Sequence, residues 1–232
     1  MSRLRSQAGV TLPELIVAMS IGMMTLLAVF AVLDTSIKQS NAVAGRVNAT
    51  QRGRIAMDTI TRQLRSQVCF SPVVPALISA SNNAVRFHTD LSDGTRTIEQ
   101  HEIAFDPAAN TIIERTWAGV NNAGVVTFPN LTRNRQILSE VTTRPAPNAA
   151  IFRYYAYNTP PVTVPVTAPR PSVLLPTPLN ATDLARVARI DVGFITLPPN
   201  ARPSPAASVT LQNEIYVRVA DPNDPAPTPT CA

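Results

Sequence analysis

Residues 9–33 read Gly9-Val10-Thr11-Leu12-Pro13-Glu14-Leu15-Ile16-Val17-Ala18-Met19-Ser20-Ile21-Gly22-Met23-Met24-Thr25-Leu26-Leu27-Ala28-Val29-Phe30-Ala31-Val32-Leu33. From Leu15 to Leu33 there is no charge. As a helix that run is about 28 Å long, close to the hydrocarbon thickness of a bilayer. A buried core helix is shorter or shows a polar face, so this segment reads as a membrane span. Arg3 and Arg5 lie on its short N-terminal side, which keeps that end in the cytoplasm and sends the rest of the chain outward. A secretory signal peptide shares the basic start. The apolar run is long for one, however, and Asp34-Thr35-Ser36-Ile37 follows it instead of a small-x-small cleavage site. An uncleaved anchor is the other ordinary reading. Neither explains Glu14, because a lone carboxylate at the edge of a span is costly without a partner.

Gly9-Val10-Thr11-Leu12-Pro13-Glu14-Leu15 resembles the processing motif of type IV prepilins and pseudopilins, in which a Gly and a hydrophobic residue precede Thr-Leu-x-Glu-Leu and the span. Val10 stands where Phe or Met is commonest, and Pro13 where Ile is commonest. The resemblance implies cleavage after Gly9 by a prepilin peptidase and N-methylation of the new Val10 amine. It gives Glu14 an assembly role, pairing with the N-terminal amine of a neighbouring subunit. Opposite charges in low dielectric neutralise each other where either alone would be expelled. Pro13 falls in the first helical turn, where its missing N–H has no intrahelical partner to lose.

The composition now divides. The chain has 232 residues, 45% hydrophobic and 15% charged, and 19 of its 20 basic residues are Arg. This much Val, Ile, Leu and Ala excludes a collagen-like or wholly disordered chain. A net charge of +5 without a long basic run disfavours a cytosolic nucleic-acid binder. Pro is abundant at 22, and 17 of these fall between Pro145 and Pro229, in stretches such as Pro160–Pro178, Pro198–Pro205 and the tail Asp221–Thr230. Those stretches read as stiff connectors.

From Asp34 to Val68 no Pro interrupts, and Ala49, Gly53, Ala56, Met57, Ile60, Leu64 and Val68 follow three-and-four spacing. Arg54, Asp58, Arg62 and Arg65 mark the opposite face, with Asp58 placed to pair with Arg54 or Arg62. Ser71-Pro72 and Pro75 stop the helix. Downstream, β-like runs cover Ala84–His88, Thr97–Phe105, Thr111–Trp117, Val125–Phe128, Ile137–Val141, Ala150–Tyr157, Arg186–Leu197 and Ser208–Val219. Asp106-Pro107-Ala108-Ala109-Asn110 turns the second into the third as a hairpin, and Arg186–Leu197 reads as a central strand. The expected fold is α+β: a ladle whose long helix, half in the membrane and half amphipathic, packs on an antiparallel sheet. Its parts are a leader (1–9), a membrane and polymerisation helix (10–33), an amphipathic continuation (34–70) and a β-rich head with Pro-rich loops (71–232). The order of features resembles the larger minor pilins and pseudopilins of the PulJ and PilW type.

Cys69 and Cys231 are the only cysteines; in an oxidising compartment an even pair reads as a disulfide, two unpaired thiols being the alternative. No catalytic constellation, phosphate loop or cofactor motif is present in the sequence, and His88 and His101 read as structural or exposed. Asp221-Pro222-Asn223-Asp224 offers only weak material for a calcium site. The expectation is therefore a structural subunit, not an enzyme and without a cofactor: a minor pilin or pseudopilin of a type IV pilus or type II secretion-like filament. Its expected partners are prepilin peptidase, other pilin subunits, an inner-membrane assembly platform and membrane lipid. It would be a single-pass inner-membrane protein with its head outside the cytoplasm, in a periplasmic or extracellular filament once assembled. The alternative is a filament-tip module that captures DNA or a surface ligand, motivated by the Arg bias.

Overall fold

The structure, a computed structural model, describes residues 11–69, 76–89, 98–122, 125–157, 173–198 and 208–217. Gly9, Val10, the 71–75 helix stop, the 160–172 and 199–205 stretches, the Asp221–Thr230 tail and Cys231 lie outside them. The chain divides after Gly45 into two compact units.

Helix α1 (Leu12–Arg65) crosses that division. In the first unit, residues 12–44 are solvent-exposed apart from half-buried Gly22, apolar side chains included. In the second unit, Ala49, Gly53, Ala56, Met57, Ile60 and Leu64 are buried, as their spacing predicts, while Arg54, Asp58, Arg62 and Arg65 face solvent. Full burial of Ile60 and Leu64 contributes about 1.5–3 kcal/mol each. Asp58 pairs with neither Arg54 nor Arg62, and an exposed pair of that spacing would contribute only a few tenths of a kcal/mol. The helix stops at Arg65, three residues short of Val68. Ser66 N is shared between Arg62 O and Gln63 O, both 3.1 Å, and Gln67 then leaves to bridge Thr89.

Among the described residues the head holds two five-stranded antiparallel sheets and a small ribbon, where one sheet was expected. The first sheet contains β1 (Leu77–Ala80), β2 (Ala84–Thr89), β3 (Glu99–Asp106), β4 (Thr111–Ala118) and a later strand, β7 (Leu131–Ser139), in the order β1-β2-β3-β4-β7. Between β4 and β7 the ribbon pairs β5 (Val120–Asn122) with β6 (Val125–Thr127). The second sheet contains β8 (Val141–Thr142), β9 (Phe152–Ala156), β10 (Val173–Leu174), β11 (Arg189–Thr196) and β12 (Val209–Tyr216). Its order is β10-β9-β11-β12, with β8 also on β11, so β11 is central as expected. A short helix α2 (Ala181–Arg186) precedes β11; Arg186, expected at the start of that strand, belongs to it.

The β3–β4 hairpin closes as its turn chemistry dictates. Asp106 Oδ1 accepts from Ala108 N (2.9 Å) and Ala109 N (3.2 Å), and Asn110 adopts φ 53°, a left-handed conformation that Asn tolerates. Asp106 still pairs with Thr111, so the turn is four residues and not five. The core is built from inward residues of both sheets and α1, with Phe87, Ile103, Ile112, Phe152, Tyr154, Ile190, Val192, Phe194 and Ile215 fully enclosed.

Candidate assembly site

At the start of α1, Leu15 N donates to Thr11 O (3.1 Å), so the first turn closes around Pro13 without missing a donor. Glu14 sits in that turn, where a carboxylate also favours the helix dipole. It is solvent-exposed, as are Leu15, Ile16, Val17 and Met19 after it. The α1 segment is the one helix among the described residues long and apolar enough to cross a membrane, and its apolar window has mean hydropathy 2.5. Within that window the hydroxyls are already satisfied. Ser20 Oγ donates to Ile16 O (2.8 Å) and Thr25 Oγ1 to Gly22 O (2.8 Å), so neither presents a bare polar group to hydrocarbon. The first charges beyond it, Asp34 and Lys38, pair at 2.6 Å. The arrangement isolates Glu14 at one end of an otherwise uncharged apolar surface, and nothing within the described residues covers that surface.

The head carries two charged clusters that sequence reasoning missed. In the first, Glu114 on β4 is buried and accepts from Gln63 Nε2 of α1, from Arg135 Nε of β7, and from His101 Nδ1 of β3 at 3.1 Å. His101 Nε2 reaches Glu99 Oε2 at 2.9 Å. Burial pushes the Glu114 carboxyl up, but the hydrogen bonds and charges of His101 and Arg135 outweigh it and hold the group below the ordinary range. Both histidines are buried, not exposed. In the second cluster, Asp191 on β11 accepts from Arg153 Nε (3.0 Å) and Gln212 Nε2 (3.3 Å), with Arg144 Nη2 at 3.8 Å. Arg144 lies over Gly193: a Cβ there would sit 2.4 Å from its Cζ. Burial lowers the Arg144 pKa, an effect that Asp191 opposes. This contact buries the polar face of β11, which alternation assigns to solvent.

These clusters join elements of the head. Among the described residues no three His, Cys, Asp or Glu side chains gather as a metal site. Arg115, Arg135, Arg144, Arg153, Arg186 and Arg189 are each within ion-pair distance of a carboxylate, so much of the Arg bias is consumed inside the head. Cys69 is half-buried just beyond α1.

No curated protein matches the chain. Residues 4–30 match the family model described as the prokaryotic N-terminal methylation motif. That stretch contains Gly9, Val10 and Glu14 and most of the exposed apolar helix, and it supports a precursor of the type IV pilin or pseudopilin kind.

Proposed function

We propose that the chain is a minor type IV pilin or pseudopilin. In this reading prepilin peptidase removes residues 1–9, Val10 is N-methylated, and residues 10–33 anchor the subunit in the inner membrane until it joins a filament. Residues 34–70 then carry the β-rich head outside the cytoplasm. The observation that carries it is the methylation motif at residues 4–30 in register with Glu14 at the head of the uncharged, exposed stretch Leu15–Leu33 of α1. Glu14 needs a cation once water is removed, and the methylated N-terminal amine of a neighbouring chain supplies one. Other pilin subunits and the membrane assembly platform are the partners this implies. A disulfide between Cys69 and Cys231 would tie the tail of the head to the end of α1, in keeping with an oxidising compartment.

The test is a matched pair of assays in peptidase-competent and peptidase-deficient cells. A Gly9→Leu substitution should block shortening of the chain and abolish its recovery in sheared or secreted filaments. Filament recovery of the unshortened variant at wild-type level would refute the role.

A further inference from the structure

Among the described residues five strands end the two five-stranded sheets of the head, and four of those edges are protected or short, β8 having only two residues. β1 is covered on its flank by the α2 segment, with Leu179 N donating to Ala80 O at 3.0 Å. β10 has only two residues. β7 is blunted twice over: its register with β4 skips Ile137 and Thr132 as bulges, and it carries Arg133 and Arg135. β12 has none of these devices. It pairs with β11 through eight consecutive residues, Val209 to Tyr216, without a register shift. It contains no Pro and one charge, Glu214. Among the described residues no group hydrogen-bonds to its other edge. A regular eight-residue edge with a single charge, left open by the described residues, is a template for another strand.

One flank of α1 runs beside this edge. Asn213 Nδ2 on β12 donates to Thr61 Oγ1 at 3.0 Å, which fixes the flank of the helix that adjoins β12. At about 3.6 residues per turn, Arg54, Asp58 and Arg65 share that flank with Thr61. All three are exposed, and none enters an ion pair among the described residues. The shelf between β12 and α1 therefore carries two guanidiniums against one carboxylate.

We propose that the open edge of β12 accepts an extended strand from a neighbouring subunit, which adds to the sheet through main-chain hydrogen bonds and turns carboxylates toward Arg54 and Arg65. Among the described residues the two longest edges, β12 and β7, do not supply such a donor. A second β12 would place Val209, Leu211, Asn213 and Ile215 on that face and no acid, because Glu214 points the other way. A second β7 would bring Arg133 and Arg135, the wrong sign. The proposed donor is a strand of a different protein. That it is a filament neighbour rests on the function proposed above; the accepting edge itself rests only on the geometry of the head.

The test uses the full chain in detergent micelles and a labelled nine-residue peptide alternating threonine with valine and glutamate, the two glutamates on one face. Fluorescence anisotropy should show saturable binding. The same peptide N-methylated at alternate amides should not bind. An Arg54→Glu/Arg65→Glu variant should bind the glutamate peptide about fivefold more weakly and prefer a lysine version. Both positions are exposed, so the fold is not at stake. Equal binding of the N-methylated peptide, no response to the charge reversal, no binding, or sedimentation as a stable dimer that excludes the peptide would each overturn the proposal. A failure of Gly9 processing would instead sink the filament reading and leave this edge assignment standing.

Discussion

Glu114→Gln removes the buried charge that ties α1 to the first sheet. Glu114 is 1% exposed and accepts from three elements, through Gln63, His101 and Arg135. Removing one partner of a buried ion pair costs roughly 3–5 kcal/mol, because the remaining charges stay desolvated. Two features reduce that here. Arg135 keeps 38% of its side chain in solvent, and Gln retains one acceptor oxygen. We therefore expect a loss of about 2 kcal/mol at pH 7, or roughly 4–8 °C in the Tm of a head of this size. Trp117, the single Trp, lies on β4 with Arg86 stacked 4.1 Å above its ring, so its fluorescence reports unfolding of this sheet. The pH dependence has a definite sign. A carboxylate held below its ordinary range contributes stability above the unfolded value of about 4.3, and loses it as pH falls through the folded one. The gap between wild type and Glu114→Gln should accordingly be full at neutral pH and close below about pH 4. Equal melting temperatures at pH 7, or a gap that widens on acidification, would refute the reasoning.

Gly193→Ala puts a methyl 2.4 Å from Arg144 Cζ and should cost about 1–3 kcal/mol by thermal melting, most of it recovered in an Arg144→Ala background. Gly53→Val collides with Leu211 and with the short, buried Thr196 side chain, so it should destabilise the head by about 1–3 kcal/mol. Gly22→Val, whose Cβ meets nothing within 4 Å, should leave the melt of the isolated chain unchanged. If Cys69 and Cys231 pair, each Cys→Ser variant and the double variant should lower the Tm equally, and thiol labelling of the oxidised wild type should be negative. The loop of about 162 residues sets an upper bound of about 5 kcal/mol on that effect.

The parts of this molecule that were legible in its sequence are those whose signal is local. The buried stripe of α1 follows from three-and-four spacing, and the β3–β4 hairpin from an Asp and an Asn at the two ends of its turn. The division into two sheets was not legible, because β9 pairs with β11 across a long Pro-rich stretch and nothing local encodes that partner. β1 and β10 are too short for alternation to register. The start of α2 did carry a signal: Asn180 Oδ1 accepts from Asp183 N at 2.8 Å as an N-cap, whereas Asn180-Ala181-Thr182 invites reading as a glycosylation sequon. The Glu114 cluster could also have been found. Glu114 shares the parity of Ile112 and Thr116, and His101 that of Ile103 and Phe105, so both were marked as inward. Which inward polar groups meet, and that Gln63 of α1 joins them, depends on register and helix placement that only the fold supplies. The N-terminal motif needed no such information, since its residues lie within one linear stretch.

Glu14→Ala separates the two steps proposed for that stretch. The variant should still be shortened, since Gly9 and Val10 are intact, yet fail to enter sheared filaments; normal incorporation would remove the pairing role of Glu14. The most direct measurement is mass spectrometry of the N-terminal peptide of the chain extracted from membranes of peptidase-competent cells. The account predicts a chain that begins at Val10 with one methyl group on its α-amine, and has lost Arg3 and Arg5. A chain that still carries residues 1–9 in those cells would contradict it.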